Sequence, residues 1–280
     1  MDEAGWTRQG AETITSATNP LVKRIRQLAD RRHRRREGAF VVDGVQPVWR
    51  AVEAGADVEL LVIAPELLRG SPAMRMVEER RAAGVRVAQL SGELFTRLSE
   101  RDGPSGLAAI VRARMRPLDD VAAGPDAVFV VLHEVGNPGN LGTIIRTADA
   151  TGATGVVLIG DASDPYAPAA VKSSMGSLFA VDVSYAATVD AFFAWARARG
   201  VQVVATSGGA ADRHWDAAYR RPLALLFGSE GPGLPAAAVE RSDLRVRIPM
   251  VGTAESLNLA AAAAVMLYEV QRAPLAESGA

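Results

Sequence analysis

Three short stretches of the chain gather residue types that can hold a small molecule and orient a second one. The first is His133-Glu134-Val135-Gly136-Asn137-Pro138-Gly139-Asn140-Leu141-Gly142, which runs into Thr143-Ile144-Ile145-Arg146. Glycine and asparagine tolerate the positive φ of sharp turns, so backbone N–H and C=O groups here can come close to a ligand. Asn140 and Arg146 lie six residues apart, at the start and in the second turn of an expected helix, Leu141–Thr151. Flanked by Ile144, Ile145, Thr147 and Ala148, Arg146 reads as more than a solvated surface arginine. The second stretch, Leu226 to Pro235, places three glycines and two prolines within residues 228–235 and carries Glu230 at the tip of a stiff turn; an ordinary strand–helix turn with an exposed glutamate is the competing reading. The third, Ile248 to Leu259, opens the last helix. Ser256 is the expected N-cap of that helix, and Asn258 is an amide just inside an otherwise apolar segment, where it needs a polar partner. The glycine spacing is not GxGxxG and no acidic residue stands at the ribose-binding distance, which argues against a dinucleotide-dependent oxidoreductase.

A different chemistry is written near the N-terminus. Lys23, Arg24, Arg31, Arg32, Arg34, Arg35 and Arg36 form a basic run suited to a phosphate backbone; the competing reading is a solvated helix end. The whole chain has a formal net charge of −1. Residues 1–116 hold 20 Lys and Arg against 15 Asp and Glu, whereas residues 117–280 hold 11 against 17. This split points to a polyanion held by the first half, with ordinary surface variation as the competing reading. Aromatic residues make up only 5% of the chain, so base stacking is not the obvious mode of grip. With no cysteine, disulfides and thiolate metal sites are excluded. His33, His133 and His214 are scattered, and no metal is expected. The Met-Asp-Glu-Ala-Gly-Trp start has no signal-peptide pattern. The longest apolar run, in the last helix, is too short to span a bilayer, so a soluble cytoplasmic protein is expected.

The elements that must carry these residues follow from pattern. A basic helix is expected from Asn19-Pro20 through to the arginine cluster. Strands are expected at Ala39–Gly44, Val58–Ala64, Val85–Leu90 and Leu107–Val111, with helices at Val45–Ala54 and Ala73–Ala83. This alternation predicts a small α/β domain with a mainly parallel sheet. Continuous apolar runs at Ala127–Leu132, Gly155–Ile159, Val181–Ser184, Val201–Thr206, Leu223–Phe227 and Leu244–Ile248 predict a second, buried parallel sheet. Helices are expected at Asp190–Arg199 and from Ser256 to about Gln271. The last is apolar all round and must be covered on more than one side. The expected organisation is a loose N-terminus (1–13), a first domain (14–113), a linker (114–126) and a second domain (127–280).

In order and spacing, the three loops resemble the motifs of the SpoU/TrmH branch of the SPOUT RNA methyltransferases, over about residues 127–272. The segment Asp164 to Phe179 resembles that family's connecting segment. Residues 15–113 resemble, less sharply, the ribosomal-protein-like domain often fused in front. The resemblance implies an α/β fold with a C-terminal trefoil-knotted parallel-sheet domain, and a homodimer formed through that domain. It implies S-adenosylmethionine as cofactor, held at Thr206, Gly228, Ile248 and Leu257. It places Asn140, Arg146, Glu230, Ser256 and Asn258 at a catalytic centre that methylates a ribose 2′-hydroxyl. Because a guanidinium stays protonated, Arg146 is read as an electrostatic clamp rather than a literal base. The fused front domain favours ribosomal over transfer RNA, with a role in protecting a ribosome from an antibiotic left open. A transfer-RNA enzyme and a catalytically silent RNA-binding protein are the alternatives.

Overall fold

The computed structural model describes residues 13–99 and 103–272. The chain divides into two compact units, Met1–Arg114 with Tyr166–Ala180, and Met115–Pro165 with Val181–Ala280. The segment Tyr166–Ala180, expected in the second domain, thus groups with the first. The expected loose stretch 1–13 lies outside the described residues except for Thr13, whose hydroxyl accepts the Gln89 side-chain amide at 3.0 Å.

The first unit runs α1 (Pro20–Gln27), α2 (Arg31–Glu37), β1 (Ala39–Asp43), α3 (Val45–Glu53), β2 (Val58–Ile63), α4 (Ala73–Ala82), β3 (Arg86–Gln89), α5 (Gly92–Leu98) and β4 (Leu107–Arg112). Its sheet order is β1-β4-β2-β3. The mainly parallel sheet expected here is corrected: β4 pairs antiparallel with both β1 and β2, and only β2–β3 is parallel. Apolar strands alternating with helices specify the elements but not which edge a returning strand joins. The single basic helix is likewise two helices. Asp30 breaks the run, because its carboxylate accepts the N–H groups of Arg32 and His33 and starts α2 afresh. Helix α5 was not foreseen, although Ser91 caps it through the N–H of Leu94.

The second unit opens earlier than expected. Part of the presumed linker forms β5 (Arg116–Pro117), which pairs with β8. Leu118 and Val121 are buried in its core. The Val121 carbonyl accepts from Trp195 Nε1 at 3.2 Å and from Arg199 Nε at 3.0 Å. The chain continues through β6 (Val128–His133), α6 (Pro138–Ala150), β7 (Gly155–Ile159), α7 (Pro168–Ser174, part of the first unit), β8 (Asp182–Ala186), α8 (Val189–Ala198) and β9 (Gln202–Thr206). It ends with β10 (Asp212–Arg213), β11 (Leu223–Phe227), α9 (Ala236–Arg241), β12 (Leu244–Arg247) and α10 (Leu259–Arg272). The eight strands, ordered β10-β12-β9-β11-β6-β7-β8-β5, are parallel throughout. Phe129, Phe192 and Trp195 fill the core on one face; the rings of Phe129 and Trp195 meet edge-on at 5.1 Å. Among the described residues no helix is long and apolar enough to cross a membrane.

Candidate active site

Strands β12, β9, β11 and β6 are consecutive neighbours and all parallel, so the loops that follow them leave the same edge of the sheet. From β6 the chain moves to β7 on one side, while β11 and β9 lie on the other. This is a topological switch point, where open α/β sheets bind their ligands.

The loop after β6 is shaped by its own residues. Asn137 caps α6: its side-chain oxygen accepts the N–H of Gly139 at 2.8 Å and of Asn140 at 3.2 Å, and Pro138 supplies the fixed φ of the first helical position. Glu134 sits in the left-handed region at φ 50°. Ser163, from the loop after β7, clasps the turn by donating its hydroxyl to the Gly136 carbonyl and its N–H to that of Val135, both at 2.7 Å. Sequence reasoning missed Ser163, and no local pattern marks it, because the contact depends on how β7 sits beside β6.

The loop after β11 turns tightly. A Cβ on Gly228 would lie 2.1 Å from the Gly233 carbonyl carbon and 2.3 Å from Leu234 N, so only glycine fits. The turn aims Glu230 at the first loop. One carboxylate oxygen accepts the Gly136 N–H at 3.0 Å; the other accepts the Asn137 N–H at 3.3 Å and the Asn140 amide N–H at 3.1 Å. Partial burial opposes ionisation of Glu230. The bonds from Gly136, Asn140 and Asn137 outweigh it and hold the carboxyl below its ordinary range.

The third loop joins through Asn258, whose side-chain N–H donates to the Asn140 side-chain oxygen Oδ1 at 3.1 Å. Its own oxygen accepts the Ala260 N–H at 2.9 Å. Asn258 therefore caps α10 and does not lie inside it. The expected N-cap, Ser256, is exposed and forms no side-chain hydrogen bond with the described residues. A continuous chain Glu230–Asn140–Asn258 ties all three loops together.

The remaining site residues fall differently. Arg146 is exposed; Ile144 and Ile145 beside it are buried and its guanidinium faces solvent, with no ion pair or hydrogen bond to the described residues. It is not bonded to Asn140, Glu230 or Asn258. Thr206 ends β9 and donates its hydroxyl to the Leu226 carbonyl at 3.0 Å. Gly228 and Ile248 follow β11 and β12 directly, and Leu257 is exposed beside Asn258. From Met250 to Leu257 every residue is exposed, and no backbone hydrogen bond joins these residues to the described chain. Helix α10 packs against α6 and β11 and buries Ala260, Ala263, Met266 and Leu267, leaving Ala261, Val265 and Tyr268 exposed. The side that these three residues form is open in the single chain.

In the first unit the basic run separates into two kinds of residue. Arg34 is buried, its guanidinium donating to the carbonyls of Leu28 at 3.0 Å and Ala29 at 2.6 Å, where it closes the corner between α1 and α2. Arg24 pairs with Glu37 at 2.8 Å and Glu59 at 2.5 Å. Hydrogen bonding from Arg24 holds the half-buried Glu59 carboxyl below its ordinary range despite desolvation. Lys23, Arg31, Arg32, Arg35 and Arg36 are exposed.

An eight-stranded parallel sheet with polar loops tied together at its switch point defines an α/β domain built to hold a ligand there. The chain belongs to the SpoU rRNA methylase family, whose model matches residues 127–268; an MRM3-like substrate binding domain matches residues 19–109. It is similar to the 23S rRNA (uridine(2479)-2′-O)-methyltransferase of Streptomyces viridochromogenes, with 34% identity over 94% of this chain and 92% of the relative. A 23S rRNA (guanosine(2553)-2′-O)-methyltransferase of Bacillus subtilis is 29% identical over 92% of this chain and 98% of the relative. The crystal structure of an AdoMet-bound rRNA methyltransferase from Sinorhizobium meliloti superposes with a TM-score of 0.86 at 37% identity, covering 93% of this chain and 97% of that one.

Proposed function

We propose that this protein methylates a ribose 2′-hydroxyl in ribosomal RNA, using S-adenosylmethionine. The observation that carries the proposal is the Glu230–Asn140–Asn258 chain, which brings three strand-end loops to one place at a switch point. The residues fit the cofactor. Met250–Leu257 offers main-chain donors and acceptors that make no bond within the described chain, beside Ile248, Leu257 and the tight turn after Gly228.

When bound, S-adenosylmethionine supplies an electrophilic methyl group. The chain's own residues do the positioning, which can lower a barrier by about 7–11 kcal/mol. Asn140 is fixed at both ends of its amide, so it presents a rigid polar edge rather than a mobile side chain. Arg146, exposed and without a side-chain partner among the described residues, can clamp a phosphate and steady negative charge developing on the ribose oxygen. Ser256 has a free hydroxyl with which to orient the ribose. Glu230 acts through the loop it anchors. Exposed Lys23, Arg31, Arg32, Arg35 and Arg36 hold the RNA backbone; Arg24 and Arg34 shape the unit that presents them.

Two structural features belong to the same reading. The exposed apolar residues Val251, Leu257, Val265 and Tyr268 lie in and beside the third loop, with Val251 98% exposed. A patch of this kind marks an interface, and a second copy of the chain, seated there as a two-fold dimer, would cover it. After β12, near one edge of the sheet, the chain returns to pack α10 on α6. That return is the route a C-terminal trefoil knot requires.

The test is transfer of tritiated methyl groups to ribosomal RNA from a strain lacking the gene, with the product mapped for ribose methylation. Incorporation at one ribose supports the proposal; methyl groups on a base, or none, defeat it.

A further inference from the structure

We infer that the first unit contains a pocket for a single unstacked nucleobase of the RNA, separate from the methylation site. This rests on the reading of the chain as an RNA enzyme and adds a recognition element to it.

The pocket is a cleft of about 200 Å³ whose lining includes Val41, Leu90, Phe95 and Tyr166, with Arg26, Asp43 and Lys172 as its charged members. Its volume is below the roughly 300–1,000 Å³ usual for drug-sized ligands. That suits one planar ring system and excludes a folded peptide. The aromatic wall is preset. The Tyr166 ring leans on Phe40 at 4.5 Å between centroids, and its hydroxyl accepts the Arg114 N–H at 3.1 Å. Phe95 is 3% exposed within the core that backs the cleft.

Charge identifies the occupant. The lining includes Arg26 on α1 and Ala29 at the α1–α2 corner, both exposed. The Arg26 guanidinium has no hydrogen-bond or ion-pair partner among the described residues. Lys23, Arg32 and Arg35 are exposed on the same two helices. A cleft that is apolar inside and cationic along the adjoining helices matches a base whose flanking phosphates stay outside. Single-stranded RNA is read in this way, with bases splayed out, stacked on aromatic rings and hydrogen-bonded at their edges. Arg26 is the donor for a base carbonyl or ring nitrogen. The grip therefore combines phosphate contacts with one buried base, where the low aromatic content suggested phosphate contacts alone.

The experiment uses the full chain and two independent arms. In the first, Ala29→Trp fills the rim of the cleft without touching the loops near Asn140, Glu230 or Asn258. Its KM for ribosomal RNA from a strain lacking the gene should rise about tenfold, with kcat, S-adenosylmethionine affinity and the unfolding midpoint unchanged. In the second, the unaltered protein is titrated with a single-stranded RNA and with the same strand carrying abasic sites throughout. Weaker binding of the abasic strand is expected. Equal KM for Ala29→Trp and parent, or equal affinity for the two strands, overturns the proposal. Binding needs no turnover, so an unaltered protein that failed to methylate RNA would defeat the methyltransferase reading while the second arm still decided this one.

Discussion

The two sides of the candidate active site are built differently. Around Gly136, Asn137 and Asn140 each turn is held by bonds from within the chain: Glu230 and Ser163 grip the loop, and Asn137 caps its helix. From Met250 to Leu257 the chain is exposed and its backbone groups are unpaired within the described residues. The first side is finished by folding alone. The second takes no such support from the described chain. Rigidity is thus concentrated in the first loop, and adaptability in the third.

The sharpest way to break this contrast is Gly228→Ala. The new Cβ meets backbone, not a flexible side chain, so the turn must reshape. We expect a loss of about 2–4 kcal/mol in denaturant unfolding and no measurable cofactor binding by calorimetry. Next is Arg146→Lys, which keeps the charge but removes the planar fork. Turnover should fall about a hundredfold with an unchanged melting curve; near-normal turnover would rule out a bidentate role. Asn140→Ala cuts the links to both Glu230 and Asn258. A shift of about 1 Å in such a site costs about a hundredfold in rate, and because the backbone bonds to Glu230 persist we expect the loss to be smaller, about tenfold, in single-turnover assays.

Glu230→Gln tests the tied side through pH. The Glu230 carboxyl is depressed in the folded state, so its stabilising effect is present above the unfolded value of about 4.3 and disappears as pH falls through the folded value. The parent should therefore lose stability relative to Glu230→Gln on acidification below about pH 4–5, read by urea midpoints across that range. The smallest effect is expected from Val251→Ser on the open side. Monomer stability should change by less than about 0.5 kcal/mol, while sedimentation should show a weaker dimer.

Much of the second unit was legible because its strands are continuous apolar runs: Gly155–Ile159 and Leu223–Phe227 form over the residues expected. What failed depended on distant partners. The antiparallel return of β4 is a property of sheet assembly, and no local pattern encodes it. Arg34 and Arg35 are indistinguishable as letters, yet one is buried in a helix corner and the other faces water. Asn258 was singled out as an amide needing a partner, and the structure supplies Asn140, but the cap of α10 was assigned to Ser256. Choosing among Ser256, Asn258 and their neighbours requires knowing where the helix begins, the least certain feature of any local pattern.

The parallel sheet also governs how this protein reaches its native state. Val128 on β6 stands in register with Leu223 on β11, 95 positions later, and no hairpin shortens the route. Contacts so distant along the chain make for slow folding, since the closure entropy is lost before the pairing rewards it. During synthesis β6 must wait beside β7 with one edge bare until β11 emerges from the ribosome. The β6–β11 pairing that brings the first two loops together is therefore a late event, and the third loop follows once β12 has paired with β9.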